Sequence, residues 1–448
     1  MNIILISLVH LFILIVFVTL NKMYKIKNYH FFSPLNILFM FTMLYVMGFY
    51  ARYFFYYDIY FWFISDYSYL VYSLYLFTFF LIFFLTFISV NPKTIINTIH
   101  KSLSKIELSI SKSKFLFKSF FVYFLAIILM VLLIKKTGIL PFNDPLEFRI
   151  QAGHNFGILF VLMLYFFSLP LFYSMYLLIN QKISKFTFLS ITFFTILIYF
   201  FFGSRMLLLS LVVNSIMIYS FYKPKVSKSS ALVKKTVMII FAIFFIVLYG
   251  SYRDASADMD SFSKIFDFIF NDFWNIFLFY VSEPLVRFSQ FVHFLWIIEH
   301  EQTGLLSMLY GESLLNSFTT FIPRFIYEDK PLFLSMEIQK TLSGSSETPR
   351  TASGYFFAEA YLNLYWYSLF IYPIVLGFIV KLLMVLYKLS QESKNFIFFF
   401  IYKDIMWYMY IIYDGLNSIS LQLLFILIIL DILAIKFFQK SKRRAING

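Results

Sequence analysis

The run at 2–20, NIILISLVHLFILIVFVTL, carries no Asp, Glu, Lys or Arg, and runs like it recur along the whole chain. Apolar runs of roughly 18–25 residues match a hydrocarbon layer of about 30 Å. The sequence therefore reads as an all-α, polytopic integral membrane protein. Composition agrees: 61% of the 448 residues are hydrophobic and only 13% are charged, against about 45–50% and about 25% in soluble domains. No basic residue precedes the first run, as a cleaved leader would require, so it is expected to be the first spanning helix.

Eleven spans are expected, near 2–21, 31–50, 68–90, 116–134, 157–180, 186–203, 205–222, 236–252, 354–380, 396–413 and 418–437. This gives three segments of one membrane domain. Helices 1–8 occupy 1–251, a large extracytoplasmic loop occupies 252–353, and helices 9–11 with a basic tail occupy 354–448. The loop contains DFWNIFLFYVSEPLVRFSQFVHFLWIIEH, broken by Glu283, Pro284 and Arg287. A twelfth, kinked span over 273–298 would set the C-terminal lysines outside, against the charge rule. Amphipathic helices resting on the outer surface are the expectation instead.

Charge sets the orientation. One side carries Lys22, Lys25 and Lys27, the lysines of 93–114, Lys182, Lys185, those of 223–235, Lys381, Lys388, Lys394 and the tail KFFQKSKRRAING. That is 23 of the 37 basic residues, beside only two carboxylates, Glu107 and Glu392. The positive-inside rule makes this side cytoplasmic, with the N-terminus outside and the C-terminus inside. The net charge of +14 is thus topological, and nucleic acid is not an expected partner.

Arginine is distributed the other way. Of nine arginines, Arg52, Arg149, Arg205, Arg253, Arg287, Arg324 and Arg350 fall outside, and only Arg443 and Arg444 fall inside. Lysine suffices for topology, whereas the guanidinium fork holds phosphate or carboxylate by two hydrogen bonds. An arginine-rich outer face beside a membrane points to an anionic ligand such as a lipid diphosphate. Some of these arginines pair with outer carboxylates; Glu283 and Arg287 stand at ordinary helix ion-pair spacing.

Four stretches concentrate the chemistry. In FFGSRMLLL, Gly203 and Ser204 make a turn and Arg205 begins a helix. Unpaired N–H groups and the positive dipole end already attract anions there, and a cation is locally unfavourable. LYGSYRDASADMD brings Arg253 and Asp254 to the surface, and LLNSFTTFIPRFIYEDKP carries Arg324 and Lys330. SSETPRTASGYFFAEAYLNLYW places Arg350 before a helix and Glu359 within it, at a depth that is costly for an unpaired carboxylate. Tyr56, Tyr57, Tyr60 and Trp62 stand in an outer loop where they could stack on sugars.

Other chemistries are poorly supported. There is no cysteine, so thiolate catalysis and Cys-ligated metals are excluded. His293 and His300 lie seven apart without HExxH, which favours interfacial histidines over a metal site, and nucleotide-binding glycine loops are absent. No cofactor is expected. Few charges lie within spans (Lys118, Lys403, Asp404, Asp431), which favours an enzyme over a flippase or transporter.

The GSR turn, IPRFIYEDKP and GYFFAEAYLN together resemble the oligosaccharide repeat-unit (O-antigen, Wzy-type) polymerases, as do the length, span count and late outer loop. The chain departs from that family at YLNLYW, where Leu364 and Tyr365 stand in place of an expected glycine. The resemblance implies a membrane glycosyltransferase of the bacterial inner membrane. It would join repeats linked to undecaprenyl diphosphate, as donor and acceptor, into O-antigen or capsule, with a chain-length regulator as partner. Arg205 and Arg324 would bind the diphosphate, supported by Arg253, Arg350 and Lys330, and Glu359 or Asp254 would be the base. A ligase moving finished glycan to another acceptor would share these features.

Overall fold

The computed structural model describes residues 2–23, 33–55, 61–91, 97, 112–141, 145–201, 211, 215, 290–312, 356–393, 428–434 and 437. Among the described residues there is helix and turn but no strand. The helices are α1 (Asn2–Met23), α2 (Pro34–Phe55), α3 (Asp66–Ser89), α4 (Lys112–Thr137), α5 (Pro145–Ile179), α6 (Lys185–Phe201), α7 (Gln290–Gln302), α8 (Phe356–Leu364) and α9 (Ser368–Ser393). A 3₁₀ turn, Tyr365–Tyr367, separates α8 from α9.

Six spans among the described residues are long and apolar enough to cross a membrane: Ile3–Met23, Pro34–Phe54, Asp66–Ser89, Phe115–Thr137, Leu159–Ile179 and Phe357–Tyr387. They coincide with the first five expected spans and the ninth. The sixth expected span corresponds to α6, described from Lys185 to Phe201. The expected spans at 205–222, 236–252, 396–413 and 418–437 lie wholly or mostly outside the described residues. Large apolar side chains such as Phe117 and Phe120 on α4 are exposed. Such a surface suits lipid rather than water.

Two compact units divide the chain. The first comprises Met1–Ser102, Ser282–Leu389 and Asp404–Leu430. In it α1 packs on α2 and α3, and α7 packs on α2, α3 and α8. Its interior is built from aromatic rings. Phe291 of α7 stacks on His10 of α1 at 5.3 Å, and Phe294 lies 5.1 Å from Tyr75 of α3. Phe357 of α8 meets Phe79 edge-on at 4.8 Å. Each offset or edge-on ring pair adds about 0.5–1.5 kcal/mol beyond area burial.

Helix α9 approaches α3 closely at Gly377. A Cβ there would lie 3.1 Å from Thr86 and 3.2 Å from the Phe83 carbonyl. One turn further on, the Lys381 ammonium donates to the Phe87 carbonyl at 3.0 Å and lies over the Phe87 ring. Phe87 is in the last turn of α3, where carbonyls lack helical partners and the dipole favours a cation.

The second unit comprises Leu103–Val281, Ser390–Lys403 and Asp431–Gly448. Here α5 is flanked by α4 and α6. Phe115 of α4 stacks on Tyr173 of α5 at 5.2 Å. The Tyr123 and Thr195 hydroxyls join α4 to α6 at 2.8 Å, and the Tyr199 hydroxyl donates to the Leu164 carbonyl at 2.7 Å. Helix α5 is interrupted at Phe156 (φ −133°, ψ 34°), so its apolar span begins just beyond the break.

The expected span 354–380 is present as Phe357–Tyr387, with a break where Tyr365 adopts φ +48° and ends α8. Of the segment 273–298, expected to rest on the outer surface, residues 290–298 are described, in α7. Phe291, Val292, Phe294, Leu295, Ile297 and Ile298 of α7 are fully buried. Those positions cover most of the helix circumference, so this part of the segment packs into the first unit.

Candidate functional site

Of the residues expected to act on substrate, Glu359 is described. Arg205, Arg253, Asp254, Arg324, Lys330 and Arg350 lie outside the described residues, as do Tyr56, Tyr57, Tyr60 and Arg287. Arg149 stands in α5. Arg52, in the last turn of α2, is buried close enough to His293 for its charge to be felt there.

Glu359 has no accessible surface. Its neighbours along α8, Ala358, Ala360, Tyr361 and Leu362, are equally enclosed. Its backbone carbonyl accepts from the Asn363 side chain at 2.8 Å. Enclosed in this way, the carboxylate does not meet solvent.

A second carboxylate is better placed. Ser65 is the N-cap of α3, and its side chain accepts from the Ser68 N–H. The cap signature is readable in ISDYS, a serine before an acidic first turn. Glu299 of α7 adds what the sequence does not show: its Oε2 accepts from the Ser65 N–H at 2.9 Å and from the Ser65 hydroxyl at 2.7 Å. Burial pushes the Glu299 carboxyl up, but the bonds from Ser65 and Ser68, with His300 nearby, outweigh it. The net effect holds it below the usual carboxylate range. A carboxylate at a helix N-terminus meets unpaired N–H groups and a positive dipole end, so the charged form is stabilised.

The same end of the unit carries further polar contacts. The Tyr361 hydroxyl donates to Glu301 at 3.3 Å, and the Ser68 hydroxyl to Gln302 at 3.4 Å. The turn after α7 is tied to α8 by the Leu309 N–H on the Leu362 carbonyl at 2.9 Å. Tyr75, Ser368 and the Tyr365 carbonyl form a buried chain beneath it.

Sequence reasoning also missed a histidine within the first span. His10 is buried, 3.1 Å from the Tyr72 hydroxyl, with Phe49, Tyr50 and Phe291 around its ring. Its place in an apolar run was visible, but its partners come from three other helices. In the second unit, buried Asp431 accepts from the Tyr165 hydroxyl at 2.6 Å. Among the described residues no three His, Asp or Glu side chains gather as a metal site; His293 and His300 are half-buried along α7.

No protein-family model, curated protein sequence or solved structure gives a significant match to this chain.

Proposed function

We propose that this helical membrane protein is a glycosyltransferase of the bacterial inner membrane. It polymerises undecaprenyl-diphosphate-linked oligosaccharide repeats on the outer face. One observation carries the reading: seven of nine arginines fall on the expected outer side of a chain whose lysines mark the inner side. The resemblance at 203–205, 321–331 and 354–363 supports it, and so does an all-helical body with apolar spans.

In the reaction, a hydroxyl of the acceptor repeat attacks the anomeric carbon of the donor glycan. The new glycosidic C–O bond forms as the bond from that carbon to the diphosphate oxygen breaks. Undecaprenyl diphosphate departs with the bonding electron pair. Arg205 and Arg324, with Arg253, Arg350 and Lys330, stabilise the charge that develops on it. The hydroxyl proton passes to a carboxylate, Asp254 or Glu359. The enclosure of Glu359 supports Asp254 as the first variant to make.

The reading is tested with purified protein in lipid nanodiscs, supplied with lipid-linked repeat extracted from a strain lacking the gene. A ladder of longer lipid-linked glycans is expected, with release of undecaprenyl diphosphate. Unchanged single repeats in the presence of folded protein would contradict it.

A further inference from the structure

We propose that Trp62, Phe63, Trp296 and His300 form a carbohydrate-stacking shelf that seats a sugar of the acceptor glycan. This deepens the glycosyltransferase reading above and rests on it for the identity of the glycan.

The four rings come from two chain segments but make one surface. Trp62 and Phe63 lie in the turn before α3, with ring centroids 6.3 Å apart and planes at 85°. Phe63 stands 5.9 Å from Trp296 and meets His300 edge-on at 6.2 Å, both on α7. Trp296 and His300 are 6.4 Å apart, one helical turn from each other. The indole of Trp62 is 71% exposed, whereas most rings of this unit are enclosed. An exposed indole backed by further rings offers a flat apolar face to the C–H side of a pyranose.

The shelf is preorganised. Glu299 lies between the two ring-bearing positions of α7, and its two bonds to Ser65 fix the turn that carries Trp62 and Phe63. The His300 ring is also held. Its Nδ1 lies 2.8 Å from the Trp296 carbonyl, which can only accept, so Nδ1 carries the proton. Nε2 is then the ring nitrogen left to hydrogen-bond a sugar hydroxyl. A rigid aromatic face beside convergent polar groups loses little entropy on binding.

Exposed tryptophan in a membrane protein also suits the lipid headgroup zone, and the local charge decides between the two. The segments 61–91 and 290–312 carry Asp66, Glu299, Glu301 and Glu312 but no lysine or arginine of their own, in a chain of net charge +14, and Arg52, whose charge reaches His293 of α7, is buried rather than presented to a headgroup. A headgroup-facing corner draws cations toward lipid phosphate. Aromatic rings among carboxylates suit a neutral, hydroxyl-rich ligand instead.

The test uses the full chain in nanodiscs and, as probe, the host's own repeat oligosaccharide freed from its surface glycan by mild acid. Saturation-transfer NMR and tryptophan fluorescence report binding. Wild-type protein is expected to bind the free oligosaccharide, Trp62→Ala to weaken it at least fivefold, and Trp62→Phe to retain most of it. Because Trp62 is exposed, the melting temperature of Trp62→Ala should stay near wild type, which separates lost binding from lost folding. In cells, Trp62→Ala should shorten the surface glycan. Equal binding by wild type and Trp62→Ala overturns the shelf. So does quenching of Trp62 emission by brominated lipid, read as the difference between wild type and Trp62→Phe, which would place the ring in the bilayer. The parent reading fails separately, if the strain lacking the gene still makes long chains.

Discussion

Glu299 and Ser65, separated by 234 positions in the chain, are joined through a single carboxylate oxygen that takes both the backbone N–H and the hydroxyl of the serine. The contact ties α7 to the N-terminus of α3 and holds the turn between α2 and α3 in place. It makes the end of the first unit a defined polar and aromatic surface.

Replacing Glu299 by Gln keeps the shape but removes the charge from the N-terminus of α3. The loss should be about 1–2 kcal/mol, read as a lower melting temperature in nanodiscs. The pH dependence has a fixed sign. The folded carboxyl is held below its ordinary value, so its contribution is complete above the unfolded pKa of about 4.3 and is lost as pH falls through the folded value. The melting-temperature gap between wild type and Glu299→Gln should stay constant above about pH 5 and narrow as the pH falls below the unfolded value. A gap that widened on acidification would mean that the contact does not hold the charged form.

Gly377 lets α9 approach α3. Gly377→Ala drives a Cβ against Thr86 and the Phe83 carbonyl, and the carbonyl has little room to yield. Gly377→Leu forces the helices apart and should cost about 1–3 kcal/mol. The two variants should fall in that order in thermal stability. Equal stability of Gly377→Leu and wild type would contradict the close approach.

Tyr365 holds a left-handed backbone (φ +48°), which costs a residue with a Cβ about 1–2 kcal/mol. Its ring lies 5.0 Å from Tyr361 and 6.0 Å from Trp366. Tyr365→Gly relieves the backbone but removes those contacts, for a net change of about 1 kcal/mol or less. Tyr365→Val loses the contacts and strains the backbone further, so it should melt well below Tyr365→Gly. The reverse order would show that the turn is not left-handed.

Tyr165→Phe removes the donor to Asp431 inside the second unit. Loss of a hydrogen bond to a buried carboxylate should cost about 1–3 kcal/mol. Pairing it with Asp431→Asn in a double-mutant cycle isolates the coupling, which should be well above zero.

Much of the fold was legible because apolar run length against bilayer thickness is a strong, local signal. The cap at Ser65 was missed, although a serine before an acidic turn is a signal that acts within four residues. The break at Tyr365 was not readable. Nothing in YLNLYW contains the glycine or proline that announces a turn, and the conformation is held by packing among Tyr361, Trp366 and Ser368. The burial of α7 was hidden for a related reason: QFVHFLWIIEHEQ is amphipathic enough to suit a surface, and only its neighbours on α2, α3 and α8 enclose it. The enclosure of Glu359 was likewise not readable from FFAEAYLN alone.

The most direct measurement is the length distribution of the surface glycan in a strain lacking this gene, complemented with wild type, Arg205→Ala or Arg205→Lys. Long chains are expected to return with wild type alone. Growth should stop at one repeat without the gene and with Arg205→Ala, and stay strongly reduced with Arg205→Lys, which keeps the charge but loses the bidentate fork. Long chains in the strain without the gene would contradict the account. Long chains stranded on the lipid carrier would instead identify a ligase.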